Sequence, residues 1–373
     1  MSFLRCLPCV FVIGNSYEIL INTVKCGIVH IEIDGEKFYE ENTGVLSSEK
    51  LYTKIRFPQS MLDRAEKYTV VFRETVDRKA YFSVIGEEER LEFAFKPLRK
   101  TENINIYHIS DVHYLFDVAK KTASYFGDDV DLFIVNGDIG EVETAENYIA
   151  TAEYVGEISG GKIPVVFSRG NHDTRGKLAE LYSECFPVNG KKTYFTFEIG
   201  CISGIVLDCG EDKPDNHLEP GDRPVYNGTN VFELYRRAEL EWLKALPVAN
   251  GKIKIAISHI CPMHTTQKKG DIFDIERELY TEWRDELERL KTDFMVCGHL
   301  HRTFILPANN DESIIRHNFP VITGASMGMK PGSKDQRTVS GAALTVSENE
   351  VSVIFTDEDK KESEKKVLSF NKR

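Results

Sequence analysis

From residue 1 to about 100 the apolar positions recur at every second residue. In GIVHIEIDG, Val29, Ile31 and Ile33 alternate with His30 and Glu32. In LYTKIRF, Leu51, Ile55 and Phe57 share a face opposite Lys54 and Arg56. In RLEFAFKP, Leu91, Phe93 and Phe95 alternate with Glu92, Ala94 and Lys96. A period of two is what a strand shows when one of its faces is buried. Further apolar runs lie in YEILI, YTVVF and AYFSVI, and turn residues such as Asp34–Gly35 and Gly86 separate them. On this pattern His30 falls on the polar face and is expected at the surface.

About seven short strands in the first 100 residues predict a β-sandwich of immunoglobulin or fibronectin type over 1–100. The rhythm changes after KPLRKTEN. Strand-sized apolar runs (INIYHIS, DLFIVNGD, KIPVVFSRGN, ISGIVLDCG, KIKIAISH, DFMVCGH) now alternate with helix-sized amphipathic segments. Those segments include FDVAKKTASYF, ETAENYIATAEYVGEI, VFELYRRAELEWLKALP and DIERELYTEWRDELERLK. Such alternation predicts a layered α/β domain over 101–373, its strands packed between helices. The charge run DEDKKESEKK reads as a solvated loop that feeds a last short strand at VLSF.

Composition narrows the classes. A length of 373 residues suits two domains, and 41% apolar with 28% charged residues is a globular balance. The formal charge of −12 disfavours nucleic acid and anionic membrane surfaces as partners. A phosphorylated small molecule stays compatible with it, because a bound metal cluster would dominate the local field. The eight cysteines, Cys6, Cys9, Cys26, Cys185, Cys201, Cys209, Cys261 and Cys297, show no paired framework. They read as buried thiols of a cytoplasmic protein. Cys6 and Cys9 form an isolated C-x-x-C, which we assign to an opening strand. Pro8 interrupts the first apolar run, and the residues beyond that run read as more strand than cleavage site. No stretch is long and apolar enough to span a bilayer.

Five of the apolar strands finish in Asp, Asn or His. INIYHIS runs into Asp111 and His113, DLFIVN into Gly137–Asp138, and IPVVFSR into Gly170–Asn171–His172–Asp173. IKIAIS ends in His259, and DFMVC runs into Gly298–His299–Leu300–His301. Each feature alone is an ordinary turn or cap. All five in order, each after a strand, point to one site at the carboxyl ends of the strands. The glycines at 137, 170 and 298 suit sharp turns that bring backbone close to it.

The series DVH, GD, GNHD, SH and GHLH resembles the calcineurin-like metallophosphoesterases, over residues from about 103 to about 357. The resemblance implies a four-layer αββα sandwich. It implies two divalent metal ions (Mn, Fe, Zn or Co), with Asp111, His113 and His301 on the first, Asn171, His259 and His299 on the second, and Asp138 bridging. Carboxylate, amide and imidazole donors suit such borderline cations. The N-terminal sandwich is similar to the arrangement in purple acid phosphatases. That branch carries D-x-G where this chain has His113, and a tyrosine where this chain has Glu141. The resemblance therefore implies a dinuclear centre that is not purple.

The implied activity is hydrolysis of a small phosphomonoester or phosphodiester by a hydroxide held between the metals. His172 is the implied proton donor, and Asp173 would orient it or a nearby group. His264, five residues past His259, is a further candidate for contact with substrate. His299 and His301 would face the cluster together because residues i and i+2 of an extended strand end share a side. Arg169 and Arg302 flank motifs and suit either phosphate contact or structural ion pairs. The long polar loop GEDKPDNHLEPGDRPVYNGTN suits a rim or lid. The competing reading is a scaffold that keeps this fold without catalysis and binds partners through its sandwich.

Overall fold

A computed structural model describes residues 3–140, 144–249, 252–264, 268–324, 326–330 and 332–370. Glu141 lies outside the described residues. The seven strands within the first 100 residues are Cys9–Ile13, Ser16–Asn22, Gly27–Ile33, Glu36–Phe38, Tyr52–Pro58, Lys67–Asp77 and Val84–Ala94. AYFSVI forms no strand of its own. Tyr81 and Phe82 lie exposed at a bend, and a single long strand starts at Val84.

The N-terminal region is β-rich and antiparallel, but residue 100 is not a sheet boundary. Cys9–Ile13, Ser16–Asn22 and Tyr52–Pro58 are antiparallel to one another, and Phe11 pairs in parallel with Val165 of Val165–Ser168. They therefore extend the main sheet rather than forming a separate one. The other four strands make an antiparallel sheet of their own. Its Val29, Ile31, Tyr68, Val70 and Phe72 pack on Tyr17, Ile19, Ile55 and Phe57. The N-terminal sandwich thus borrows one of its layers from the α/β body. Period two could not show this, because a strand's alternation is the same whichever neighbour it pairs with. His30 is also not at the surface. It is 8% exposed, with its ring against Tyr39 and Nε2 3.2 Å from Glu32.

The body is a four-layer α/β sandwich. The ten-stranded sheet contains Ile104–Ile109, Leu132–Asn136 and Val165–Ser168 side by side in parallel. A six-stranded sheet contains Ile202–Leu207, Ile253–Ser258, Phe294–Cys297 and Val321–Thr323, also parallel. Their inner faces meet in one core: Ile106, Ile134 and Val166 on one side, Val206, Ile257 and Val296 on the other. Helices Phe116–Ala123 and Ala145–Ser159 cover the outer face of the first sheet. Helices Phe232–Ala245 and Arg277–Arg289 cover that of the second through Leu240, Leu243, Trp283 and Leu287. Buried on both faces, these strands read as continuous apolar runs. Each fully buried Val, Ile or Leu contributes about 1.5–3 kcal/mol, so the strands form a stiff base for whatever their ends carry.

The register aligns those ends. Ile109 pairs with Val135, and Asn136 with Ser168. In the second sheet Leu207 pairs with Ser258, and Ile257 with Val296. All the loops carrying the motifs leave from one edge of the sandwich. Asn136 ties the two sheets just below that edge. Its side-chain N–H donates to the Ser258 carbonyl at 3.1 Å, and Ser168 Oγ donates to its side-chain oxygen.

Asn136 Nδ2 also meets His108 Nε2 at 3.1 Å. His108 is wholly buried, and desolvation pulls its imidazolium down to about 3. The unfolded chain therefore binds a proton there that the native state refuses. Stability should fall as pH drops below about 6.5, by up to roughly 1.4 kcal/mol per pH unit from this group. Urea unfolding of wild type and His108→Gln between pH 7 and pH 4 checks this. The variant should show the shallower acid slope.

All eight cysteines are free thiols, six of them buried. Among the described residues no helix is long and apolar enough to cross a membrane.

Candidate metal centre

The structure brings all seven proposed ligands together. Asp111 and Asp138 are buried, at 0% and 2% exposure, and face one another across His259. His259 Nε2 lies 3.1 Å from Asp138 Oδ2 and 3.8 Å from Asp111 Oδ1. His301 Nε2 is 3.3 Å from Asp111 Oδ1 and 3.3 Å from His113 Nε2. His113 Nε2 is 3.8 Å from Asp138 Oδ2. On the other side of Asp138, the Asn171 side-chain oxygen is 3.0 Å from His299 Nδ1. His299 thus sits with Asn171 and His301 with Asp111, one on each side of the centre.

The two histidines reach it by a route that strand alternation does not provide. The strand ends at Cys297, and His299 and His301 adopt φ values of 68° and 51°. They are not extended residues sharing a side. Asp111, His113 and Asp138 are left-handed too, at φ 52°, 43° and 53°. Each such residue costs on the order of 1 kcal/mol, and backbone of this kind persists only where its surroundings fix it.

Here the surroundings are hydrogen bonds. The Asp111 carboxylate accepts from the His299 N–H at 3.0 Å and from Ser110 Oγ. Asp138 Oδ1 accepts from the His172 N–H at 2.9 Å. The Asp173 carboxylate accepts from the N–H groups of Gly170 at 2.8 Å and Asp138 at 3.1 Å. Asp173 is thus a clamp between two ligand loops, not an orienter of His172. Burial and the neighbouring Asp138 carboxylate push it up to about 7.

Glycine is required where the loops cross. A Cβ on Gly137, at φ 77°, would lie 2.5 Å from Gly170 Cα and 2.8 Å from His259 Nδ1. Gly137→Ala should cost about 1–3 kcal/mol through this overlap. It should also weaken metal binding at least tenfold or so, because the loops carrying Asp138 and Asn171 would part. Thermal unfolding and a Mn2+ titration measure the two effects separately.

The donor set fits a metal on its own chemistry. The Asn171 amide oxygen points at three other Lewis bases: His299 Nδ1 at 3.0 Å, His259 Nε2 at 3.2 Å and Asp138 Oδ2 at 3.3 Å. A cation among them satisfies all four at once. Without one, a reversed amide would donate to them, its oxygen then accepting from Arg175 Nη2 at 3.2 Å. His259 Nδ1 donates to the Asn136 carbonyl at 2.7 Å, which leaves Nε2 as the nitrogen turned to the centre. Burial alone would pull His259 down, yet the Asp138 and Asp111 carboxylates raise it to about 10. Burial would raise Asp138, but His259 holds it below the usual carboxylate range. The field at this point favours positive charge. Desolvation pulls His113 down and His299 to about 4, so both keep a free lone pair.

Of the catalytic candidates, His172 sits at the rim of the cluster. Its ring is 4.9 Å from that of His113, edge to face. His264 is not brought in. It is 6% exposed, packs on Phe304 and shares no described contact with the ligands. Arg302 lies over the same Phe304 ring, and Arg169 pairs with Asp208 at 2.5 Å.

Sequence reasoning missed Arg175 and Glu211. The wholly buried Glu211 carboxylate accepts from Arg175 Nε and Nη2, both at 2.7 Å, from Thr174 Oγ1 at 2.9 Å and from Tyr226 Oη at 2.9 Å. This fork holds Arg175 Nη1 3.2 Å from His172 Nε2. The same Nη1 is 3.5 Å from His172 Nδ1, so the guanidinium lies against both nitrogens of the ring. Arg175 stands two residues past the GNHD motif, but nothing in the sequence tied it to a glutamate 36 residues away. Glu211 opens the long polar loop expected to be a rim. That loop also brings Asp212 Oδ2 to 3.9 Å from His299 Nε2.

The calcineurin-like phosphoesterase family model matches residues 104–303, more than half of the chain. The protein belongs to the calcineurin-like phosphoesterase family. A comparison with curated protein sequences gives no significant match. Among solved structures, the chain is similar to the purple acid phosphatase PPD1 from yellow lupin (Lupinus luteus) seeds, with TM-score 0.58 and 11% identity over 98% of this chain and 74% of that one. It is similar also to PhoD, with TM-score 0.56 and 11% identity over 99% of this chain and 89% of that one. At such identity both likenesses speak for the fold. Family members typically bind divalent metals, and the clustered Asp and His residues of this chain could hold them.

Proposed function

We propose that this protein is a metal-dependent phosphoric ester hydrolase acting on small phosphomonoesters or phosphodiesters. One observation carries the reading: Asp111, His113 and His301, and Asp111, Asp138 and His259, form two overlapping sets of ligand atoms within 4.8 Å of one another, and Asn171 and His299 meet beside them at 3.0 Å. Asp111, His113 and His301 would hold one divalent ion, and Asn171, His259 and His299 the other, with Asp138 shared. Bound ions of this kind polarise phosphoryl oxygens and bring the pKa of water down to about 7.

The chain's own residues do the rest. Asp173 fixes the Asp138 and Gly170 backbones, and so the spacing of the two ligand sets. His172 donates a ring proton to the departing oxygen, a role typically worth ~10²–10⁴-fold. Arg175, locked by Glu211, holds the His172 ring in place and offers N–H groups to a phosphoryl oxygen. Neither a charge of −12 nor the exposed surface suggests nucleic acid as substrate.

Chelation should abolish turnover of a chromogenic phosphoester, and Mn2+ should restore it. Elemental analysis should find two divalent ions per chain. Hydrolysis that survives complete chelation would sink the reading.

A further inference from the structure

A cleft of about 620 Å³ is lined in part by Arg175, which also touches His172 at the rim of the centre. Its walls include Arg169, Arg175, Lys177, Val225, Tyr226 and Phe232. That is room for a small organic group and not for a folded partner. We propose that this cleft receives the leaving group of the ester and selects leaving groups carrying a second anion, a carboxylate or a phosphate. The inference rests on the hydrolase reading and names the substrate class for the same site.

Position supports the first half. A proton donor must stand on the leaving-group side of the reacting phosphorus. His172 marks that side, and Arg175, 3.2 Å from it, is shared between the centre and the cleft. A group departing past His172 therefore moves toward this space.

Donor chemistry supports the second half. Lys177 is exposed at the cleft and has no acceptor or ion-pair partner among the described residues. Asp208 and Glu211 hold the two guanidiniums from behind, at 2.5 Å and 2.7 Å, and so fix their direction. Three aromatic rings, Tyr182, Phe232 and Tyr235, lie 5.5–5.9 Å from the Arg169 guanidinium and stiffen it further. The one carboxylate among the lining residues, Glu180, is exposed. An unpaired ammonium beside two fixed guanidiniums calls for acceptor oxygens. Tyr226 and Phe232 add apolar wall for the carbon skeleton between the two anions.

A matched pair of substrates tests this on the full-length protein loaded with Mn2+: phenyl phosphate and 4-carboxyphenyl phosphate. Wild type should prefer the carboxylate in kcat/KM by about tenfold or more, the effect of one charge-assisted hydrogen bond. In Lys177→Glu that ratio should fall at least about tenfold, and in Lys177→Met by less. A wild-type ratio near one, or a ratio unmoved by Lys177→Glu, overturns the proposal. Calorimetric binding of phenylphosphonate and 4-carboxyphenylphosphonate needs no turnover and reads the same ratio. Absence of hydrolysis with metals bound would defeat the hydrolase reading alone. Loss of the phosphonate preference would defeat the cleft alone.

Discussion

Asp138→Asn should lose metal and activity together while the chain stays folded. The side chain sits at the centre of both ligand sets. Its Oδ2 lies 3.1 Å from His259 Nε2, 3.3 Å from the Asn171 amide and 3.8 Å from His113 Nε2. An amide keeps the shape and keeps an acceptor for the His172 N–H at Oδ1. It removes the charge that would offset bound cations and that raises His259. Metal affinity should fall by at least about 100-fold, more than the 10–100-fold typical of losing a supporting partner. Elemental analysis after desalting, beside circular dichroism, measures this. Full metal content in a folded variant would contradict the shared position given to Asp138.

His172→Ala should show the opposite pattern. Its side chain is at the rim, and its backbone N–H bonds the Asp138 carboxylate, a contact that alanine preserves. Metal content should stay at the wild-type level and kcat should fall ~10²–10⁴-fold. The loss should shrink for esters with good leaving groups, which need no proton. A set of aryl phosphates of graded phenol acidity provides that measurement. Loss of metal in His172→Ala would show that His172 belongs to the centre itself.

Particular residues show how far the sequence reached. Asp111, His113, Asp138, Asn171, His259, His299 and His301 were legible because each comes after an apolar strand. Strands buried between layers have few other ways to end than at the site-bearing edge. The helices were legible for a similar local reason: Leu240, Leu243, Trp283 and Leu287 recur at helical spacing along one buried stripe. His264 was misplaced because five residues of chain after a strand end can lead either toward the cluster or under it. Its burial against Phe304 is decided by a partner 40 residues away.

Local chemistry, written in residue types and their order along the chain, determined the elements, the layered α/β class and the candidate ligands. Long-range pairing was decided only in three dimensions. The parallel contact of Phe11 with Val165 joins the N-terminal strands to the main sheet. The Glu211 fork aims Arg175 at His172 across a loop that no periodicity describes. The left-handed backbone at His299 and His301 exists because Asp111 and its neighbours hold it there. Periodicity reports which face of an element is buried, whereas the identity of the neighbour on that face depends on the whole chain having closed around it.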